Sequence, residues 1–418
     1  MNSMEGVQSN NNGEMPTVQG ARMSEEYALA TLAIHADDAV NVLTDVAPPM
    51  HVSTTFRYDN STLDPVGDEE LDPTGNFHVY SRLAGPNTTR FEAILSSLLD
   101  GYAITYSSGL SAFHAMLVFL RPKVIAISDG YHGCHGVVAI LQKLYGLKKV
   151  SLWDEKEWDE ADLGQGDVIH VETPLNPTGE AINLEYFREK ARQRGAYLTV
   201  DSTFAPPPLQ NPFVQGVDII MHSGTKYFGG HSDMLCGVLV VRKEKKDWLS
   251  GLWNERMYIG GVTGSLESWL GVRSLRTFDL RLGRQSKNCE LIVRWLDSCL
   301  KGTGEDAEAV QKTVDRIQHA SLQTKDMEWI KRQMPGGFGA VFTIWMKNKD
   351  LAKALPGKLK LFHHATSLGG VESLIEWRRM SDETVDERVE RISVGVENWE
   401  DLRDDLLNAF RELARTVL

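Results

Sequence analysis

Lys226 follows two hydroxyl residues at alternate positions in the run His222-Ser223-Gly224-Thr225-Lys226-Tyr227, which continues through Gly229-Gly230-His231-Ser232-Asp233. The apolar stretch Val217-Asp218-Ile219-Ile220-Met221 precedes it and predicts a strand over 217–221. A lysine amine condenses with an aldehyde, and neighbouring hydroxyls hydrogen-bond a phosphate, so the arrangement suits an aldehyde phosphate cofactor. Desolvation at a strand end lowers the pKa of such an amine, and the neutral amine is the nucleophile. Taken by itself, the same turn also reads as an ordinary lysine in a polar loop.

Four further strand ends carry candidate chemistry. Ser107-Ser108-Gly109 lies between a strand and an apolar helix, where exposed N–H groups favour an anion; a small-residue turn is the plainer reading. Asp201 closes the strand Ala196-Tyr197-Leu198-Thr199-Val200. Its carboxylate would keep a pyridine nitrogen protonated, or else serve as a cap or a structural ion pair. Thr173-Pro174-Leu175-Asn176-Pro177-Thr178-Gly179 is a stiff turn that offers the Asn176 amide to a ligand. Asp129-Gly130-Tyr131-His132-Gly133 offers an aromatic ring that stacks on a flat cofactor or packs within its own loop.

The elements that must position these residues alternate. Phe91, Ile94, Leu95, Leu98 and Leu99 keep helical spacing, with Gly101 as the stop. Strands are expected at 102–106, 123–127, 167–172, 197–201 and 217–221, and helices at 110–120, 133–144 and 184–194. That rhythm implies βα units and a mainly parallel sheet, with sites at the carboxyl ends of its strands. From about residue 276 the style changes to a long amphipathic helix to about 301, strands at 340–346 and 391–396, and a last helix carrying Trp399, Leu402, Leu406, Phe410 and Leu413. Alternation in the second of these strands sets Arg391, Ser393 and Gly395 on one face.

The chain is therefore expected to be α/β, with a disordered tail and extended arm over 1–75, a large domain over 76–275 and a smaller C-terminal α+β domain over 276–418. The arm, with Ala47-Pro48-Pro49, Asp64-Pro65-Val66-Gly67 and Asp72-Pro73-Thr74-Gly75, has no core of its own, so it is expected to lie across another subunit. The 418 residues hold 42% hydrophobic and 24% charged residues, an ordinary globular composition. The net charge of -13 argues against a nucleic-acid partner. No apolar run approaches the roughly 20 residues of a membrane helix. The Asn- and Ser-rich start resembles neither a secretion nor a mitochondrial signal, so a cytoplasmic protein is expected. Four cysteines without CxxC spacing, and twelve histidines without an HExxH motif, point to no metal.

In order along the chain stand Ser53-Thr54-Thr55-Phe56, Tyr80-Ser81-Arg82, Ser107-Ser108-Gly109, Thr173 to Thr178, Val200-Asp201-Ser202-Thr203-Phe204, His222 to Asp233, Ser367-Leu368-Gly369-Gly370-Val371-Glu372-Ser373 and Arg391-Ile392-Ser393-Val394-Gly395. With these the sequence resembles the transsulfuration family of Cys/Met metabolism, pyridoxal 5′-phosphate enzymes of fold type I, from about residue 30 onward. The resemblance implies that Lys226 carries the cofactor and shuttles protons, that Asp201 pairs with its ring nitrogen and that Tyr131 stacks on the ring. It implies a phosphate cradle of Ser108, Gly109, Leu110, Ser223 and Thr225, with Tyr80 and Arg82 contributed by a neighbouring subunit. Asn176, Thr366, Ser367 and Arg391 would face the substrate, Arg391 clamping its carboxylate in a fork. A homo-oligomer is implied, a tetramer made of two active dimers.

Departures from the family pattern narrow the reaction. Where cystathionine-handling members carry a glutamate before the serine, this chain has Thr366, which holds a distal ammonium poorly. Cys134 stands three residues beyond Tyr131, where it reads as a small buried residue or as the cysteine of the methionine γ-lyase type. Gly224, Ser202 and the loop Tyr131-His132-Gly133-Cys134-His135-Gly136 resemble a fungal branch of cystathionine γ-synthase-like enzymes, some in specialised biosynthesis. The expected reaction is γ-substitution on an O-acyl-L-homoserine, O-acetyl above all, through a vinylglycine-type unit that accepts a carbon, nitrogen or sulfur nucleophile. The alternatives are a cystathionine γ-synthase, a homoserine sulfhydrylase, a methionine or cystathionine γ-lyase, and a non-catalytic scaffold, against which intact Lys226, Asp201 and Arg391 speak.

Overall fold

Apolar runs separated by helices pair into one sheet of seven strands, β1 (Tyr102–Tyr106), β2 (Val124–Ala126), β3 (Lys148–Val150), β4 (Val168–Glu172), β5 (Tyr197–Asp201), β6 (Ile219–Ser223) and β7 (Gly237–Val241), in the order β1-β7-β6-β5-β4-β2-β3. This is a computed structural model, and it describes residues 27–41, 45–58 and 78–415. The expected disordered tail to Pro16 and the turns at Asp64–Gly67 and Asp72–Gly75 lie outside the described residues. Strands β2 to β6 run parallel to one another, and β7 runs antiparallel to both β1 and β6. The parallel crossovers bring the last residues of β4, β5 and β6, namely Glu172, Asp201 and Ser223, to one edge of the sheet.

Helices cover both faces of the sheet, and period two sorts its side chains between them. Ile220, Val238 and Val240 join one apolar cluster, while Ile219, Met221, Leu239 and Val241 join the other. Each such buried aliphatic side chain contributes about 1.5–3 kcal/mol through area removed from water.

Three local expectations need correction. The strand before Lys226 starts at Ile219, not Val217, because Asp218 fixes the entry: its N–H donates to the Leu198 carbonyl (2.8 Å) and its Oδ2 accepts from Leu198 N–H (3.0 Å). The pairing of β6 with β7, whose run Gly237-Val238-Leu239-Val240-Val241 was not anticipated as a strand, then carries it on to Ser223. Gly101 does not itself provide the left-handed residue that ends the helix Pro86–Leu98; Asp100 does, at φ 52. A side chain at 101 would meet the Val241 carbonyl at 2.6 Å, so the glycine there serves the approach to β7.

The second sheet contains β8 (Val314–Gln318), β9 (Val341–Met346), β10 (His363–His364), β11 (Leu374–Trp377) and β12 (Val389–Ser393), in the order β10-β11-β12-β9-β8. Its pairings are antiparallel except β10 with β11. The strand expected over 391–396 begins at Val389 and ends at Ser393. Beyond it the Val394 and Val396 N–H groups leave the ladder for the Ala340 and Val371 carbonyls. The long helix Phe278–Lys301 and the last helix Trp399–Ala414 supply Ile292, Leu296, Leu402, Leu406 and Phe410 to the same core as Phe342, Ile344 and Ile392.

The described part of the arm is tied to its own chain. The Pro48 carbonyl accepts from Trp269 Nε1 (2.8 Å), the Pro49 carbonyl accepts from Asn87 Nδ2 (2.9 Å), and Thr55 bridges to Tyr80. Among the described residues no helix is long and apolar enough to cross a membrane, and no cluster of metal-ligating side chains occurs. All four cysteines are buried and free.

Candidate active site

Lys226 sits in the tight turn that follows β6, where its N–H donates to the Ser223 carbonyl (3.1 Å). Its Nζ donates to Ser367 Oγ at 2.9 Å, across to the second sheet domain. Burial, helped by the nearby Arg391 charge, lowers its pKa to about 8. Such an amine is about one-tenth neutral at pH 7, far more than an ordinary lysine, and that fraction is both nucleophile and base.

The carboxylates lie beside it on the sheet edge. Asp201 is buried, and its Oδ1 accepts from Thr203 N–H (2.9 Å) and from Thr203 Oγ1 (2.5 Å). Burial raises the Asp201 pKa, while the Thr203 bonds and Lys226 oppose the rise. Its neighbour in register is Glu172, whose Oε1 accepts from Asn176 N–H (2.7 Å) and Oε2 from Tyr131 N–H (2.8 Å). Burial, then the Asp201 charge, pushes the Glu172 carboxyl well up. Glu172 thus fixes the tyrosine loop and the Asn176 turn to the same strand end.

The anion-favouring corner forms where the helix Gly109–Leu120 begins. Ser108 caps it, its Oγ accepting from Ser111 N–H (3.1 Å), so helix geometry leaves the N–H groups of Gly109 and Leu110 without an intrahelical acceptor. Ser223 faces Gly109, where a side chain would meet Ser223 Cβ at 3.3 Å and Oγ at 3.4 Å. Thr225 is occupied: its hydroxyl accepts from Cys236 N–H (3.0 Å) and donates to the Cys236 carbonyl (3.3 Å), which pins the turn against β7. Tyr131 and Leu110 meet at Gly133, where a side chain would lie 2.6 Å from the tyrosine ring and 3.0 Å from Leu110. Cys134 is buried among apolar side chains, and burial pushes its thiol up.

Arg391 faces Lys226 from β12. It donates from Nη1 to Asn176 Oδ1 (3.1 Å), and from Nη2 to the Ser367 carbonyl (3.0 Å) and to Glu376 Oε2 (2.6 Å). Burial lowers its pKa to about 10, which leaves it charged. Ser367 holds φ +97 without being glycine, a conformation that costs about 1 kcal/mol or more and marks a position the surroundings insist upon. Thr366 beside it is exposed.

Lys226, Asp201, Asn176, Ser367 and Arg391, all expected from the sequence, thus converge. Tyr80 and Arg82 do not join them: both are exposed, the guanidinium lies 5.5 Å from the tyrosine ring, and Arg82 donates to the Met257 carbonyl (3.0 Å). Among the described residues no hydrogen bond connects either to Lys226, Ser223 or Asp201. Glu172, Thr203, Glu376 and Arg378 are site residues that sequence reasoning passed over. Glu172 had a usable signal, because it closes β4 as Asp201 closes β5.

Residues 30–411 match the family model described as Cys/Met metabolism PLP-dependent enzyme. The chain belongs to that family. It is 32% identical over 384 residues to the cystathionine gamma-synthase of Escherichia coli, covering 88% of this chain and 93% of that one. It is 29% identical over 408 residues to an L-methionine gamma-lyase of Fusobacterium nucleatum, covering 92% and 98%. The crystal structure of cystathionine gamma synthase from Xanthomonas oryzae in complex with aminoacrylate and cysteine superposes with a TM-score of 0.80 at 26% identity, over 94% of this chain and all of that one. The protein is accordingly an enzyme of the pyridoxal 5′-phosphate-dependent synthase and lyase family, a family of small-molecule amino-acid enzymes, with fold type I architecture. The residues present fit the cofactor: a part-buried amine of lowered pKa, a buried carboxylate on the adjacent strand, and a helix start kept open by Gly109 over Ser223.

Proposed function

We propose that this enzyme catalyses γ-substitution on an O-acyl-L-homoserine, with O-acetyl-L-homoserine as the preferred donor, and joins its four-carbon unit to a nucleophile other than cysteine. Overall, the Cγ–O bond to acetate breaks, a bond from Cγ to carbon, nitrogen or sulfur forms, and the nucleophile gives up one proton. The observation that carries this reading is the bonded line from Lys226 Nζ through Ser367 to Arg391, which sets one base beside one carboxylate clamp. The neutral, exposed Thr366 next to Ser367 supports a second reactant without a distal ammonium.

When bound, pyridoxal phosphate supplies an aldehyde that condenses with amines and a ring that accepts electrons from the substrate Cα. Lys226 Nζ would hold it, and once displaced would take and return protons at Cα and Cβ. Asp201 would pair with the ring nitrogen, and Tyr131 would cover the ring face. Ser108, Gly109, Leu110 and Ser223 would bind the phosphate, while a phosphate role for Thr225 rests on the family resemblance alone. Arg391 and Asn176 would orient the α-carboxylate, which places the Cα proton toward Lys226. Tyr80 and Arg82, exposed here, would complete the cradle of a second copy in a tetramer of two active dimers. The fungal-branch motifs at Tyr131–Gly136 and Gly224 support a biosynthetic setting.

Incubation of the holoenzyme with O-acetyl-L-homoserine and a panel of nucleophiles, read by mass spectrometry, tests this. The panel holds cysteine, sulfide, methanethiol, a β-keto acid, an aldehyde and an amine. A carbon or amine adduct is expected. Thiol adducts alone would move the enzyme into sulfur assimilation, and 2-oxobutyrate without any adduct would make it a γ-lyase.

A further inference from the structure

Two buried guanidinium groups share one carboxylate oxygen beside the site. Arg391 Nη2 lies 2.6 Å from Glu376 Oε2, and Arg378 Nη1 lies 2.8 Å from the same atom. Glu376 and Arg391 are partners in register on β11 and β12, and all three side chains are at most 5% exposed. The other oxygen, Oε1, accepts from Ser381 Oγ (2.7 Å). Burial opposes the Glu376 charge, but Arg391, the Ser381 hydroxyl and Arg378 together hold its carboxyl below the ordinary value, so it stays ionised.

Two positive charges on one negative leave an unneutralised positive charge in this bonded cluster. The remaining contacts of Arg391, Asn176 Oδ1 and the Ser367 carbonyl, are neutral. Among the described residues no other acid hydrogen-bonds to either guanidinium. Glu172 accepts from the Tyr131 and Asn176 N–H groups, and Asp382 accepts from Thr384 and reaches Arg378 only through space. Glu390, next to Arg391 on β12, is held toward its neutral form by burial and then by the Glu376 charge. Arg378 Nε is buried without a partner among the described residues, so Glu376 is the group this side chain serves. Without Arg378, Arg391 and Glu376 would close into a neutral pair, and an incoming carboxylate would meet repulsion as well as attraction.

We infer that Arg378 is a positioning residue that occupies Glu376 and thereby leaves Arg391 with a full positive charge for the α-carboxylate of the amino-acid substrate. The inference rests on the proposed role of Arg391 as the carboxylate clamp. It makes the clamp a three-residue device, in which Glu376 orients Arg391 and Arg378 cancels the electrostatic penalty of doing so.

Binding of L-norvaline, which has no γ-leaving group, and of L-norvalinamide, which has no carboxylate, is measured on the holoenzyme by spectral titration. Arg378→Gln is expected to weaken norvaline about tenfold or more and norvalinamide by less than about twofold. Arg378→Lys keeps the charge and is expected to remain near wild type. Glu376→Gln alone is expected to bind norvaline as tightly as wild type or tighter, and the double variant Glu376→Gln/Arg378→Gln to recover most of the loss. Equal weakening of both ligands, unchanged norvaline binding in Arg378→Gln, or no recovery in the double variant would overturn the inference. If Arg378→Gln does not fold, weaker norvaline binding by Glu376→Gln overturns it instead. Unchanged norvaline binding in Arg391→Lys would show that the clamp reading itself had failed.

Discussion

The two sides of Lys226 are built differently. On the side of the seven-stranded sheet, the candidate cofactor groups are strand ends and a helix start, held by backbone bonds and hydroxyls: Asp201 by Thr203, Glu172 by the N–H groups of Tyr131 and Asn176, Ser223 through its N–H by the Thr203 hydroxyl. On the side of the five-stranded sheet, the candidate substrate groups are charges held by other charges, Arg391 by Glu376 and Glu376 by Arg378. A strand end keeps its place whatever is bound. A charge cluster keeps its place and also sets how much charge is left for a ligand.

The largest effect separating the sides is expected at their meeting point. Lys226→Ala should remove turnover by at least about a thousandfold while leaving the melting temperature close to wild type, because a part-buried amine of lowered pKa is not there for stability. Next comes the sheet side. Asp201→Ala should cost roughly a hundredfold or more in kcat and much less in KM for the donor, since it acts on the reacting ring and not on the clamp. On the clamp side the pattern should reverse: Arg391→Lys should raise the KM for O-acetyl-L-homoserine by about tenfold or more, with a smaller change in kcat. Steady-state kinetics of the two variants side by side checks both.

These two lines of construction also decide what was legible. Lys226, Asp201 and the Ser107-Ser108-Gly109 turn stand out in the sequence because each follows an apolar run at fixed spacing, and period and position suffice to place them at one sheet edge. Glu172 could have been found by the same rule. Glu376 and Arg378 could not, because Glu376 matters through its pairing across β11 and β12 with Arg391, which only register reveals, and Arg378 matters through Glu376. Register also explains the misplaced ends of β6 and β12: the apolar pattern is right, but Asp218 and the carbonyls of Ala340 and Val371 decide where each ladder starts and stops. Tyr80 and Arg82 were legible as motif residues, yet a single chain gives them no site to complete.

Smaller effects bear on the coupling of the two sides. Burial and then Arg391 lower the Lys226 pKa to about 8, and only the neutral amine attacks an aldehyde. Uptake of pyridoxal phosphate by the apoenzyme should therefore slow by about tenfold per pH unit below that value and level off above it. In Arg391→Ala the midpoint should move upward, because a neighbouring positive charge is gone while Glu376 stays. Stopped-flow absorbance across pH reads both. The smallest effect is expected for Gly109→Ala. The added methyl crowds Ser223 by a few tenths of an ångström, so affinity for pyridoxal phosphate should fall by about threefold to tenfold with donor KM unchanged.

Reaction at Cγ requires protons to be moved at Cβ as well as at Cα, and one lysine is proposed to do both. Proton NMR of L-norvaline incubated with the holoenzyme in deuterium oxide follows both positions. Exchange at Cα and Cβ, absent in Lys226→Ala, is the expected result. Exchange at Cα alone would contradict γ-chemistry at this site.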